Sequence, residues 1–283
     1  MISMQNVRVN YPTFELNCTL EVKTGMITGL IGENGAGKTT IFKALLGIIP
    51  IKSGEILIDN VPVNKLTNKK REKIGTVLSD AFFNGLFTIK DIHQLLKKSY
   101  STYDSTYFLS QCQNFRLPDN QAIKEFSTGM LAKLKILTAL SHQSDLLILD
   151  EPTNGLDVSA RHEIIVILQE YMEQHPECSI LISSHISSDL EKICDDIYYI
   201  KQGKILLHED TDVLLNTYGI VKVDVDIFET ISQDYIVYQK KMFYGYDLLT
   251  NQRLFYQENY PQLVIEKPGL DQILLMIMEG EQR

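Results

Sequence analysis

The sequence predicts an α/β fold with a mostly parallel sheet covered by helices on both faces. Three observations carry that prediction. Short apolar runs alternate with stretches whose apolar residues recur at three- and four-residue spacing. A glycine-rich segment joins an apolar run to a helical pattern at 32–39. A later apolar run, LLIL, ends abruptly in two adjacent acids, Asp150 and Glu151. Strands buried on both faces of a parallel sheet read as continuous apolar runs, as these do.

Along the chain, residues 1–85 read as short strands around the glycine-rich loop and its helix, with strands at 26–31 and 55–58. The pattern then turns helical, with helices expected at 88–100, 105–115 and 127–140. Strand and helix alternate afterwards: a strand at 146–150, a helix at 158–174, a strand at 179–183, a helix at 187–193, and a hairpin around Lys201-Gln202-Gly203. After about Asp210 the texture changes. The tail is rich in Tyr and Phe, with strand-like runs at 220–227, 235–239 and 262–265 and a closing helix at 270–278, so it reads as a small α+β appendage.

Bulk properties narrow the function classes. A chain of 283 residues can bury a sizeable core, and 44% hydrophobic with 22% charged residues is ordinary for a globular protein. A net charge of −9 argues against a protein that grips nucleic acid, which carries a basic footprint. The basic run Lys69-Lys70-Arg71 reads as a solvated loop or helix end. Cys18, Cys112, Cys178 and Cys194 are scattered without metal-type pairing and read as free buried thiols. No apolar stretch approaches the roughly 20 residues of a membrane helix, and the start lacks a secretory pattern. A cytoplasmic protein that meets a membrane only through a partner is the expectation.

Two segments carry chemistry. GENGAGKT, comprising Gly32, Glu33, Asn34, Gly35, Ala36, Gly37, Lys38 and Thr39, fits the phosphate-loop pattern G-x-x-x-x-G-K-[ST], with Thr40 next in the helix. Its glycines let backbone amides turn inward around an anion, and the helix N-terminus adds positive potential. Lys38 supplies charge for the β- and γ-phosphates of ATP, and the Thr39 hydroxyl can ligate Mg²⁺. At the second segment, Asp150 ends a strand at the sheet edge where ligands bind in α/β folds, placed to hold Mg²⁺. Strand side chains alternate, so Glu151 points elsewhere and is the candidate general base. An acidic pair after a strand could equally cap a helix; the phosphate loop favours the functional reading.

A third motif narrows the class. FSTGM at 126–130 opens a helix just before Asp150 and resembles the ABC signature LSGGQ. Residues 151–157, EPTNGLD, resemble the family's stretch from catalytic glutamate to D-loop, and LISSH at 181–185 resembles the strand leading to its switch histidine. Residues 1–208 are thereby similar to ABC transporter ATPases, closest to bacterial export or resistance types with a short C-terminal extension. The resemblance implies a phosphate-loop core with an N-terminal antiparallel β subdomain and a helical signature subdomain at about 86–140. Residues 209–283 would form the accessory region. It also implies ATP hydrolysis with Mg²⁺, Glu151 as base and His185 positioning the attacking water. Tyr11 would stack on adenine. Ser127 and Gly129 would cap the γ-phosphate held by a second subunit, with Asp157 at the subunit contact. The second subunit would be a twin or a paralogue, and the pair would drive a separately encoded membrane permease from its cytoplasmic face. Export of antimicrobial or toxic peptides is the preferred reading, and no nucleic-acid partner is expected.

The chain departs from the family pattern at IGTVLSD, 74–80, where Ser79 takes the slot of the Q-loop glutamine and Asp80 follows. Either oxygen could reach Mg²⁺. The signature has Thr128 and Met130 for a glycine and a glutamine, but keeps Ser127 and Gly129. A chromosome or DNA-repair ATPase would need long heptad coiled coils between phosphate loop and signature, and 40–126 is too short and irregular for them. A ribosome-bound relative would normally carry two cassettes, and this chain has one.

Overall fold

A computed structural model describes all residues, 1–283. The chain divides into two compact units, one of residues 1–194 and 198–207, the other of 195–197 and 208–283.

The first unit begins with β1 (Ile2–Tyr11) and β2 (Phe14–Val22), paired antiparallel from Ile2↔Val22 to Tyr11↔Phe14. Buried and exposed residues largely alternate along β2, as expected of a sheet with one face on the core. β3 (Ile27–Ile31) then opens the central sheet, and α1 (Lys38–Leu45) follows its loop. The chain returns to the antiparallel sheet with β4 (Ser53–Ile58) and β5 (Val61–Pro62), giving the order β2-β1-β4-β5. Their connection, Asp59-Asn60, has φ of 50° and 59°; Asp and Asn are the residues that tolerate the two left-handed positions of a tight hairpin turn. A short exposed helix, α2 (Asn68–Arg71), carries the basic run.

β6 (Ile74–Val77) ends at the Ser79 segment and leads to the helical part: α3 (Ile89–Ser99), α4 (Ser105–Asn114) and α5 (Thr128–Leu140). Thr88 and Asp91 form a reciprocal cap at the start of α3, each side chain accepting from the other's amide. Ile89, Ile92, Leu96, Phe108, Leu134 and Leu137 bury the facing sides of these helices. β7 (Leu146–Leu149), α6 (Val158–Gln174), β8 (Ser179–Ser184), the short α7 (Ser187–Leu190), β9 (Asp196–Lys201) and β10 (Lys204–Asp210) follow. The sheet order is β10-β9-β3-β8-β7-β6, and the four strands β3, β8, β7 and β6 run parallel. β3, β7 and β8 are buried along their whole length, which accounts for their uninterrupted apolar runs. The turn between β9 and β10 places Gln202 and Gly203 at positive φ, and a Cβ on Gly203 would lie 2.0 Å from the Glu15 carbonyl oxygen. Only glycine fits there.

The second unit adds α8 (Thr211–Thr217), β11 (Gly219–Val223), α9 (Val225–Thr230), β12 (Ile236–Met242), β13 (Gly245–Thr250), α10 (Arg253–Asn259), β14 (Val264–Glu266), α11 (Leu270–Glu279) and β15 (Glu281–Gln282). Its sheet, β14-β11-β13-β12-β15, is antiparallel between every pair of neighbours. Val221, Val223, Ile236, Leu248 and Tyr256 form the core. The strand expected at 220–227 stops early, because the Asp224 carboxylate accepts from the Ile227 amide at 2.8 Å and caps a helix. The expected helix at 187–193 is shorter too, a single helical turn over 187–190 followed by hydrogen-bonded turns over 191–193.

Candidate functional site

Neighbouring parallel strands deliver the site. β3, β8, β7 and β6 lie side by side, and their C-terminal ends lead respectively into the glycine-rich loop, Ser183 with His185, Asp150 with Glu151, and Ser79. The open edge of a parallel sheet gathers residues far apart in sequence.

The loop from Gly32 to Gly37 leads into α1, with Gly37 as its N-cap at φ 116°. A Cβ at Gly37 would lie 2.8 Å from the Phe14 ring, so position and conformation both demand glycine. Glu33, Asn34 and Gly35 are exposed at the loop tip, whereas Ala36 is buried and its carbonyl accepts from the Gly203 amide at 2.9 Å. Lys38 is buried, and its Nζ donates to the carbonyls of Gly32 at 2.6 Å and Glu33 at 3.1 Å. The same Nζ lies 3.1 Å from Glu151 Oε1. Asn34, Gly35, Lys38, Thr39, Thr40 and Glu151 face one cavity, and Tyr11 stands at its side, 45% exposed, 6.4 Å from the Phe14 ring.

Asp150 is buried among hydroxyls. Oδ2 accepts from Thr39 Oγ1 at 2.7 Å and from Ser79 Oγ at 2.9 Å, and Oδ1 accepts from Ser183 Oγ at 2.9 Å. Asp80 turns away and pairs with Lys43 Nζ at 2.7 Å, the hydrogen bond holding its carboxyl below the ordinary carboxylate range. Between the two oxygens left open by the sequence, Ser79 is the one brought to Asp150. Two hydroxyls and a carboxylate are a hard-oxygen set suited to Mg²⁺ on a nucleotide phosphate, so the residues fit that ion. No three His, Cys, Asp or Glu side chains converge into a metal cluster of their own.

Glu151 carries the second half of the site. It stands at φ 49°, and its Oε2 lies 2.9 Å from His185 Nδ1. Lys38, Glu151 and His185 thus form a chain of contacts across the mouth of the loop. The sequence did not single out Ser183; the paired hydroxyls before His185 were its one visible trace.

Ser127, Gly129 and Asp157 are not brought to the glycine-rich loop. They face a separate cavity that shares no residue with the first. Ser127 caps α5, its Oγ accepting from the Met130 amide at 3.2 Å, and Asp157 caps α6, accepting from the Ala160 amide at 2.8 Å. An ion pair of 2.5 Å between Lys133 and Glu163 ties these helices together.

A glycine-rich strand–loop–helix, a buried carboxylate among hydroxyls and an acid paired to a histidine are the arrangement of a phosphate-loop ATPase. Comparison with known proteins places it more narrowly. Residues 16–154 match the family described as ABC transporter. The chain is 28% identical to the ABC transporter ATP-binding protein YtrB of Bacillus subtilis over 273 residues, covering 94% of this chain and 93% of that protein. It is 32% identical to the lantibiotic transport ATP-binding protein SrtF of Streptococcus pyogenes over 228 residues, covering 75% of this chain and 92% of that one. A solved ATP-binding subunit of an ABC transporter superposes with a TM-score of 0.66 at 24% identity, over 76% of this chain and 91% of that chain. The chain therefore belongs to the ABC transporter ATP-binding proteins, and it is an ATP-hydrolysing subunit that powers transport. No helix is long and apolar enough to cross a membrane. Subunits of this family work with a membrane permease and as dimeric cassettes.

Proposed function

We propose that this subunit binds Mg-ATP at the Lys38 loop, closes against a second ATPase subunit, and drives a separately encoded permease in export. The observation that carries this reading is the division of the site into two cavities. The one holds Lys38, Thr39 and Glu151, the other Ser127, Gly129 and Asp157. A triphosphate held by the first is enclosed only when the second cavity of another subunit faces it. In this reading residues 1–208 are the ATPase domain, with the helical part at about 86–140, and 209–283 are accessory.

Within the closed site, the loop amides and Lys38 hold the β- and γ-phosphates, and Tyr11 stacks on adenine. Thr39, Ser79 and Asp150 would hold Mg²⁺, which would supply positive charge to neutralise the phosphate oxygens. Glu151 accepts the proton of the attacking water as its oxygen bonds to the γ-phosphorus and the bond to ADP breaks, while His185 orients the water. Lys38 must leave Glu151 for the phosphates, which frees the carboxylate for that proton. The cargo reading, an antimicrobial or toxic peptide, is supported by the likeness to SrtF, named for lantibiotic transport. The YtrB likeness spans too much of this chain to stop at the ATPase core, so it includes the accessory region.

The test is isolation of the tagged Glu151→Gln variant from its native membranes with ATP. The expected result is a stable assembly of two ATPase subunits with a polytopic membrane protein. A strictly monomeric, ATP-loaded subunit in the presence of those membranes would refute the reading.

A further inference from the structure

Ser183 sits on β8 beside β7, and the register Leu149↔Ile182 leaves it one step beyond the last paired rung, level with the two acids. It is completely buried. Its Oγ donates to Asp150 Oδ1 at 2.9 Å and accepts from the Glu151 amide at 3.0 Å. A hydroxyl has one proton to give, so these two bonds fix its orientation. Because Ser183 occupies Oδ1, the carboxylate presents Oδ2 to Thr39 and Ser79. The amide bond falls at Glu151, where φ is 49°, a conformation unfavourable for a residue with a Cβ unless its surroundings hold it. Ser184, the next hydroxyl, serves a local turn instead, accepting from the Ile186 amide at 2.9 Å.

We infer that Ser183 is a positioning residue for ATP hydrolysis: its one hydroxyl aims Asp150 Oδ2 at the metal position and holds the Glu151 backbone in the left-handed turn that points its carboxylate at Lys38 and His185. The inference rests on the roles assigned to Asp150 and Glu151 above. Ser183 acts through both acids and touches neither ATP nor the attacking water. The physical reason is that a parallel ladder would carry Glu151 onward in extended conformation. The side-chain rung from β8 replaces the backbone rung at the place where the chain must turn.

The experiment compares full-length wild type, Ser183→Ala, Ser183→Thr and Glu151→Gln by ATP turnover, by Mg²⁺ titration of fluorescent mant-ATP binding, and by thermal melting. Ser183→Ala fits the same space and should lower kcat about 10–100-fold, the loss typical when a partner of a metal-ligating group is removed. KM for ATP should stay near wild type, because the phosphate loop is untouched, while the Mg²⁺ midpoint of mant-ATP binding rises. A folded Ser183→Thr, which keeps the hydroxyl, should restore both. Wild-type kcat and an unmoved Mg²⁺ midpoint in Ser183→Ala, whatever happens to its melting temperature, would overturn the inference. So would a folded threonine variant as impaired as alanine. If Glu151→Gln is inactive while Ser183→Ala is normal, the role of Ser183 alone fails. If Glu151→Gln turns over normally, the base assignment fails, and this inference with it.

Discussion

Replacing Glu151 with glutamine separates the contacts its carboxylate makes from the base role proposed for it. In the structure one oxygen lies 3.1 Å from Lys38 Nζ and the other 2.9 Å from His185 Nδ1, and both Lys38 and Glu151 are largely buried. A glutamine amide can keep this geometry with its oxygen toward the ammonium and its NH₂ toward an unprotonated Nδ1. What it loses is charge. Charge-assisted hydrogen bonds contribute about 1.5–3 kcal/mol and neutral ones about 0.5–1.5 kcal/mol, so the two contacts together should weaken the nucleotide-free fold by roughly 1–3 kcal/mol. Hydrolysis should suffer more, because an amide cannot take the proton of the attacking water. Removal of a general base costs on the order of 10²–10⁴-fold in rate. Mant-ATP affinity should hold or improve, since Lys38 no longer leaves an anion to reach the phosphates. Phosphate release at saturating Mg-ATP measures the rate, mant-ATP titration the affinity and thermal melting the stability. Turnover within tenfold of wild type would refute the assignment of Glu151 as base.

Other changes probe separate parts of the structure. Tyr11→Ala should weaken mant-ATP binding by the roughly 1–3 kcal/mol of a base-stacking contact, with an unmoved melting temperature because the ring is 45% exposed. Gly37→Ala combines a φ of 116° with a Cβ 2.8 Å from the Phe14 ring; melting should fall and nucleotide binding should be lost together, and a normal melt with normal binding would contradict the packing described. His142 is buried and stacked on Tyr100 at 4.0 Å, and burial lowers its pKa from 6.5 to about 4. Between these values the unfolded chain binds more protons than the fold, so stability is full above 6.5 and declines as pH falls toward 4, by up to about 3 kcal/mol. Denaturant midpoints at pH 7 and 4.5 should converge in His142→Phe relative to wild type.

Much of this site was legible in the residues themselves. GENGAGKT needs only its own spacing to declare a glycine-rich loop that runs into a helix with a lysine and a threonine at its start, because neighbouring residues build it. The apolar run before Asp150 likewise declares a buried strand ending at a ligand-binding edge. Local chemistry missed the early stop of β11, since a strand-like run hid the capping aspartate Asp224. Strand β13 and helices α8 and α10 in the tail were also unread, their short patterns being too weak to stand out.

Folding alone could choose between Ser79 and Asp80. They adjoin in sequence, and the choice depends on Lys43 from α1 drawing one away while Asp150, just past the end of β7, receives the other. The part given to Ser183 has the same origin, for the hydroxyl gains its two partners from a strand paired more than 30 residues away in the chain. Motifs record what a segment does with its immediate neighbours. Contacts across a parallel sheet join residues separated by whole crossovers, and their orientation exists only once the strands have paired.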